Sequence, residues 1–255
     1  MIYWGGFLSE TMIEKTKLKG LDATTIKFIA IFAMLIDHIA WAFVPTYSPL
    51  GQVMHIIGRI TASIMCFFIA EGYYYTKNVK RYVCRLAIFA LISHIPFIFF
   101  ETGRIMIIGN TGVIYTLCLS LIAIIVYDKV KNKFLKVLSI IAICIIACFG
   151  DWIFIAILMS LNFWKHRGDF KKIAIEHCII TGIFLLIMCK MYTIMGYPIR
   201  NTFFQGGMLL ALPILYLYNG KKGEFADKHK KLSKWVFYIF YPLHLFIIGL
   251  LKYIL

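Results

Sequence analysis

Charged residues are scarce in this sequence: they make up 15% of its 255 residues, whereas soluble globular domains contain about 25%. Apolar residues make up 61%, and the mean hydropathy is +0.82. These values exclude a soluble globular domain and indicate an integral membrane protein. Negatively charged residues are fewer than positively charged ones: there are 12 aspartates and glutamates and 27 lysines and arginines. The net charge of +15 could suggest nucleic-acid binding, but the distribution of the basic residues between the apolar runs indicates a signal of membrane topology instead.

The sequence also lacks the motifs of several enzyme classes. It contains no P-loop, no GxSxG, no HExxH and no His/Cys cluster with metal-ligand spacing. Covalent serine chemistry and zinc hydrolysis are therefore unsupported, and we expect no metal. The seven cysteines form no CxxC pair and nearly all lie in apolar runs, which predicts small buried side chains rather than disulfides. Residues 1–19 lack the ordered features of a cleavable signal peptide.

Long apolar runs recur along the whole chain, as crossing a hydrocarbon core of about 30 Å requires. They predict an all-α integral membrane protein, a polytopic bundle of about nine transmembrane helices. Because no linker, repeat or low-complexity tract divides the chain, we expect one transmembrane domain over residues 1–255. The predicted spans are 24–44, 53–73, 82–100, 111–127, 134–149, 151–164, 172–190, 202–218 and 234–254.

The basic residues predict the orientation of these spans. Most of the 27 lysines and arginines flank the first span or follow the second, fourth, sixth and eighth. By the positive-inside rule the N-terminus is cytoplasmic and the C-terminus lies outside. The sequence thus predicts a multi-pass protein of the cell membrane, with the lipid bilayer as its partner and no nucleic acid.

The first span carries an adjacent acid and imidazole, Asp37 and His38, in its apolar run. Ionisable groups inside a membrane are costly, so they indicate a functional site. Lys27 lies eleven positions before His38, which puts both on one helix face about 16 Å apart. The functional interpretation makes His38 a general base that Asp37 or another acid orients. The alternative is that Asp37 and His38 have a structural role and form polar contacts that hold two helices together.

The second span adds a basic and an acidic residue. Adjacent helical residues diverge by about 100°, so Asp37 cannot readily hold its own neighbour, and Arg59 is its predicted partner. His55, one turn before Arg59, is expected at the outer surface. Glu71, near the inner side, is either a functional acid or an interfacial residue above an aromatic belt.

The third span begins with Arg81 and Arg85, four residues apart on one face. Guanidinium groups grip phosphates bidentately, but ordinary positive-inside anchoring explains such residues equally well. His94 precedes the helix-breaking Pro96. It is either a second site residue or a polar group that satisfies backbone freed by the proline.

Two further residues are candidates at the outer side and in the last span. Asp151 stands in the turn between two short predicted spans, where a lone acid is usually just solvated. His244 follows Pro242 near mid-membrane, where a proline opens a helix and a histidine can line the gap. Both are retained as supporting site residues.

Three blocks of this sequence resemble the TraX family, membrane proteins named for acetylating the N-terminus of conjugative pilin. The blocks are LKGLDATTIKFIAIFAMLIDHIA, then GRI…FFIAEGYYYTKN…KRYVCRLAIFALISHIPF, and finally FYIFYPLHL. The family is similar to a larger group of membrane acyltransferases that use cytoplasmic acyl-CoA. That group carries a basic residue, ten intervening residues and a catalytic histidine, which Lys27 and His38 match. Its arginine pair is matched only loosely by Arg81 and Arg85.

The resemblance implies a transferase that uses acetyl-CoA or another acyl-CoA as donor. Lys27, Arg81 and Arg85 would hold the CoA phosphates, and His38 would deprotonate an amine or hydroxyl acceptor arriving from outside. The acceptor stays open: a pilin-like peptide, a sugar or a small amine. The alternative hypothesis is a transporter or flippase in which Asp37, His38, Arg59 and His94 form a relay, although no inverted repeat supports it.

Overall fold

The computed structural model describes residues 20–105 and 110–254, and its regular elements in those ranges are all helical. The prediction made for residues 1–19, including their three lysines, lies outside the described residues. The helices are α1 (Ala23–Phe43), α2 (Pro49–Tyr75), α3 (Val79–Thr102), α4 (Val113–Lys129), α5 (Lys133–Ala147), α6 (Ile153–Lys165), α7 (Phe170–Ile194), a 3-10 helix (Ile199–Leu210), α8 (Ala211–Tyr216), α9 (Glu224–Lys228) and α10 (Lys230–Ile254).

Helix α1 begins where its sequence provides a cap. The Asp22 side chain accepts a hydrogen bond of 2.9 Å from the Thr25 backbone N–H, which satisfies one of the free amides at a helix start. The hydroxyl of Thr24 donates to the Lys222 carbonyl over 2.6 Å. The start of α1 is thus tied to the loop that precedes α9.

Helix α2 is the centre around which the bundle packs. It contacts α1, α4, α6, the 3-10 helix and α8. Of the five longest apolar helices it is the most buried. Ser48 caps its N-terminus and Pro49 occupies the first turn, the position where a proline costs no hydrogen bond. Polar groups on α2 are therefore enclosed by protein rather than by lipid.

Helices α3 and α10 each continue through an internal proline. Pro96 lies inside α3 and Pro242 inside α10, so the predicted spans 82–100 and 234–254 continue through both prolines, and Pro96 does not break its helix as its sequence context suggests. A proline removes one backbone hydrogen bond, but in an apolar environment the remaining backbone groups can be satisfied only by keeping the helix. Helix α10 packs along α3 and α1, which brings the last helix beside the first.

Five helices in the described ranges are long and apolar enough to cross a membrane: Ala23–Phe43, Pro49–Tyr75, Val79–Thr102, Phe170–Ile194 and Trp235–Ile254. Helices α4, α5 and α6, which occupy three other predicted spans, have 17, 15 and 13 residues, at or below the short end of the range of about 17 to 25 residues for membrane-spanning helices. The protein is therefore a multi-pass membrane protein with an all-helical fold.

The eighth predicted span, 202–218, is not a regular membrane-length α-helix. A 3-10 helix covers Ile199–Leu210 and is followed by the six-residue helix α8. Gly206 and Gly207 lower the α-helical propensity there. A Cβ on Gly207 would overlap the backbone of Ile56, so this glycine permits close packing of the 3-10 helix on α2.

The prediction that the cysteines are buried is only partly correct. Cys66 and Cys118 are buried, whereas Cys84, Cys148 and Cys178 are exposed. Cys84 and Cys178 lie on the long apolar helices α3 and α7. Their apolar thiols suit a surface that faces lipid as well as a protein core.

Candidate active site

The His38 imidazole is held in one orientation by its own helix. Its Nδ1 lies 2.8 Å from the Met34 carbonyl oxygen. Because a carbonyl can only accept, Nδ1 carries the proton and Nε2 keeps a free lone pair. Within the described ranges no group hydrogen-bonds to Nε2. The side chain therefore presents a nitrogen that can accept a proton.

A second histidine lies beside His38 although the two are far apart in the sequence. His244 Nε2 is 3.2 Å from His38 Nδ1, and His244 Nδ1 is 2.8 Å from the Phe240 carbonyl. Both residues are buried. His244 Nδ1–H thus donates to its own helix, while its Nε2 can share the His38 proton. The predicted approach of His244 to the site is present in the structure.

Asp37 lies in a buried cluster with two basic side chains of α2. Its Oδ1 accepts a hydrogen bond of 2.7 Å from His55 Nδ1, and its Oδ2 accepts one from the Arg59 guanidinium. The predicted pair of Asp37 and Arg59 is confirmed. His55 is 0% exposed, so its predicted place at the outer surface is wrong. Its ring packs on the Trp41 ring, with 4.3 Å between the two ring centroids.

Close packing of α1 on α2 makes this cluster possible. A Cβ on Gly58 would overlap the Asp37 side chain. The glycine therefore lets the two helices approach, and the basic residues on either side of it reach the carboxylate. Small residues commonly permit such approach between membrane helices.

A cavity of 380 Å³ runs from the helix ends near Lys27 to a point just below His38. Its outer part is formed by the starts of α1 and α3, the end of α2 and the loop before α9. Its deep part is formed by Met34, Leu86, Val113, Ile114, Leu117, Trp152 and Tyr241. Because Met34 also supplies the carbonyl that holds His38, the cavity ends one helical turn from the imidazole.

The mouth of the cavity is positively charged. Lys27, Arg85 and Lys222 line it. Arg85 donates a hydrogen bond of 3.0 Å to the Tyr238 hydroxyl, and the Lys27 ammonium lies 4.7 Å from the Phe68 ring centroid. Neither Lys27 nor Arg85 forms an ion pair with any carboxylate in the described part of the chain. Two partly buried cations without a carboxylate favour an anionic ligand.

The acid at this mouth is already paired. Glu71 accepts a hydrogen bond of 2.6 Å from Arg167 Nε, and the Arg167 guanidinium lies 3.4 Å from the Tyr74 ring centroid. Desolvation would lower the pKa of Arg167, but the hydrogen bond and charge of Glu71 hold this pKa above its ordinary value. Glu71 therefore does not cancel the charge of Lys27 or Arg85.

Trp152 lines the deep part of the cavity, and its backbone is left-handed with φ of 62°. This conformation is unusual for a residue other than glycine. The Asp151 carboxylate accepts a hydrogen bond of 2.9 Å from the Trp152 N–H. Asp151 is half-buried and lies within electrostatic reach of His38, Asp37 and Arg59. Asp151 is therefore not simply a solvated loop acid, and its supporting role at the site stays a prediction.

Comparison with known proteins identifies the family. The family model described as TraX protein matches residues 22–252. A probable fimbrial assembly protein, FimC of serogroup H1 from Dichelobacter nodosus, is 28% identical over 232 residues, covering 88% of this chain and 93% of the relative. The chain belongs to the TraX family.

A second relative is less similar to this chain. An uncharacterised protein of Rickettsia prowazekii (strain Madrid E) is 24% identical over 189 residues, covering 72% of this chain and 71% of the relative. No solved structure matches.

Two predicted site residues, Arg81 and His94, do not line the cavity. Arg81 is exposed at the start of α3 and is not among the lining residues, whereas Arg85, one turn further, is. His94 is half-buried in the second half of α3. The binding role of Arg81 and the catalytic role of His94 stay predictions.

Several residues at the site of this TraX chain could not be predicted as site residues from its sequence. Arg167 and Lys222 belong to the basic loops and were interpreted as topology signals alone. Tyr238 and Tyr241 lie in an apolar run rich in aromatic residues, where nothing distinguishes them from a core. The only available signal was the proximity of both tyrosines to His244 in the block FYIFYPLHL.

Proposed function

We propose that this protein is an integral-membrane acyltransferase that transfers an acetyl or other acyl group from acyl-CoA. In this proposal the N-terminus and the cationic mouth face the cytoplasm of the cell. The donor enters there, and an amine or hydroxyl acceptor reaches His38 from the outer side. One observation carries the proposal: a cavity runs from two cations, which have no carboxylate partner within residues 20–105 and 110–254, to within one helical turn of a buried histidine with a free lone pair.

The shape of the cavity suits the donor. Lys27 and Arg85 lie at the mouth, where they would contact CoA phosphates, and guanidinium groups bind phosphate bidentately. The apolar walls between the mouth and Met34 would take the extended pantetheine arm. Lys27 and His38 are eleven residues apart on α1, about 16 Å along the helix. The thioester would then lie at the deep end, near the imidazole.

The chemistry needs no covalent enzyme intermediate. His38 Nε2 would accept the proton of the acceptor as its nitrogen or oxygen attacks the thioester carbonyl carbon. The C–S bond then breaks, and the CoA thiolate accepts from His38 the proton that came from the acceptor. The position of His244 beside His38 would hold the imidazole in the tautomer that leaves Nε2 free.

The acceptor is proposed from the relatives rather than from the site. The TraX family and the fimbrial assembly protein of Dichelobacter nodosus favour a pilin-like peptide over a sugar or a small amine. The proposal of acyl transfer does not depend on this choice, because any amine or hydroxyl that reaches Nε2 completes the reaction.

Acetyl-CoA should bind detergent-purified protein with a Kd in the micromolar range, about −8 kcal/mol. Lys27→Ala and Arg85→Ala should each weaken binding about 10- to 100-fold, because each removes a charged hydrogen-bond donor to phosphate. Isothermal titration calorimetry measures both effects, with folding checked by thermal unfolding.

Two controls make this measurement specific. Arg104→Ala removes an arginine beyond the other end of α3 and should leave the Kd unchanged, while Arg81→Ala reports whether the headgroup extends past the cavity. Pantetheine, which has no phosphate, should bind wild type and Arg85→Ala equally. Folded protein that binds no acyl-CoA would contradict the proposal and favour the relay hypothesis.

A further inference from the structure

The Tyr241 hydroxyl occupies an unusual position at the deep end of the cavity. Tyr241 is 2% exposed, and its ring lines the cavity wall together with Val113 and Trp152. Its oxygen accepts a hydrogen bond of 3.0 Å from the Val113 backbone N–H. Gly112 has no Cβ, and a Cβ there would overlap this hydroxyl. The chain thus leaves room for the hydroxyl at the start of α4.

The hydroxyl proton of Tyr241 has no hydrogen-bond acceptor among the described residues. A phenol accepts hydrogen bonds through its oxygen and donates one through its proton. The oxygen is used by Val113, but no acceptor in the described ranges takes the proton. A buried donor without an acceptor is costly, which indicates that a ligand group supplies the acceptor when the cavity is filled.

The surroundings strengthen this donor. Gly112 caps α4 without a side-chain hydrogen bond, so the Tyr241 oxygen takes the place of the capping group. The N-terminus of a helix carries partial positive charge. A phenol that accepts from such an amide is polarised and becomes a better donor. Negative charge that develops beside the hydroxyl would be stabilised.

Tyr241 also lies at a suitable separation from the proposed base. The His38 and Tyr241 ring centroids are 6.5 Å apart. A thioester carbonyl at the end of the cavity could therefore lie between the hydroxyl on one side and the acceptor near His38 Nε2 on the other. General base and oxyanion donor must flank the reacting carbon in this way.

We infer that the Tyr241 hydroxyl is a catalytic hydrogen-bond donor that stabilises the oxyanion of the tetrahedral intermediate; this rests on the proposed acyl transfer. The acceptor nitrogen or oxygen forms a bond to the thioester carbonyl carbon, and the carbonyl electron pair moves to oxygen. That oxyanion accepts a hydrogen bond from Tyr241, which keeps its proton throughout. When the C=O bond re-forms, the C–S bond breaks and His38 returns the acceptor's proton to the CoA thiolate.

The substitution Tyr241→Phe tests this inference, because it removes the hydroxyl and keeps the ring. We expect kcat to fall about 10²- to 10³-fold, the usual loss for one oxyanion donor, while the Kd for acetyl-CoA stays within twofold of wild type. Tyr73→Phe is the matched control. Tyr73 is also buried, but its hydroxyl donates to Asp128 over 2.8 Å and it does not line the cavity. This variant should keep wild-type kcat.

The outcomes separate the inference from the function on which it rests. Wild type without acyl transfer would contradict the proposed function. Active wild type with an equally active Tyr241→Phe variant would overturn the inference alone. A rise in Kd with unchanged kcat would also overturn it, because that result indicates a binding role.

A measurement on wild type covers the case in which Tyr241→Phe does not fold. Isotope-edited infrared spectroscopy of bound acetyl-CoA with a ¹³C-labelled thioester carbonyl reports hydrogen bonding to that oxygen. We expect the carbonyl stretch at or below its wavenumber in water. A stretch at the value found in an apolar solvent would overturn the inference.

Discussion

Replacing His38 with alanine is expected to lower the rate of acyl transfer about 10²- to 10⁴-fold, the usual contribution of a positioned general base. Binding of acetyl-CoA should be kept, because the cavity is lined by other residues and ends one turn before His38. The measurement is transfer of labelled acetyl from acetyl-CoA to acceptors in a membrane extract, beside calorimetric binding of the same preparation.

His177→Ala is the matched control for this change. His177 is also buried, but it lies on α7 and its Nε2 is 3.2 Å from the Ser63 hydroxyl, outside the cavity lining. A folded His177→Ala variant should transfer acetyl at the wild-type rate. Equal losses in both variants would mean that any missing buried imidazole impairs the protein, and His38 would have no special role.

Replacing Asp37 with leucine is expected to destabilise the protein by about 3–5 kcal/mol, because the Arg59 guanidinium is left buried without its partner. His55 also loses the acceptor of its Nδ1–H. Equilibrium unfolding in mixed micelles measures the difference. This change in stability is the largest we expect from a single substitution.

A double variant distinguishes the broken ion pair from a simple packing defect. Asp37→Leu combined with Arg59→Met removes both charges and should recover much of the lost stability, since hydrophobic replacement of a whole buried pair is often neutral. A double variant as unstable as the sum of the single variants would show that the pair is not the cause. Asp37→Asn with wild-type stability would contradict the ion pair itself.

Helical periodicity explains which parts of the site the sequence could predict. Lys27 and His38 share a face because both lie on one uninterrupted helix, and Asp37 was paired with Arg59 because a buried charge needs a partner. Both inferences depend on short-range geometry or on the cost of desolvation. Each is visible in a single sequence.

Tertiary packing decides what the sequence could not predict. The sequence predicts His244 as a supporting site residue, but its contact with His38 depends on the packing of α10 along α1, which no local pattern specifies. His55 is buried because Gly58 lets α1 approach α2. Residues 199–216 form a 3-10 helix and a short α-helix, and Gly207 permits close packing of this segment on α2, whereas hydropathy alone predicts a regular span. Pro96 does not break α3, because an apolar environment favours keeping the helix.

The claim that the cavity holds an acyl-CoA beneath His38 is tested most directly by photolabelling. An acyl-CoA that carries a diazirine on a short acyl chain should label the deep wall, at residues such as Met34, Leu117 or Trp152, and excess acetyl-CoA should suppress the labelling. Mass spectrometry of peptides from the irradiated protein locates the label. Labelling confined to lipid-facing helix surfaces, or unaffected by acetyl-CoA, would contradict the account.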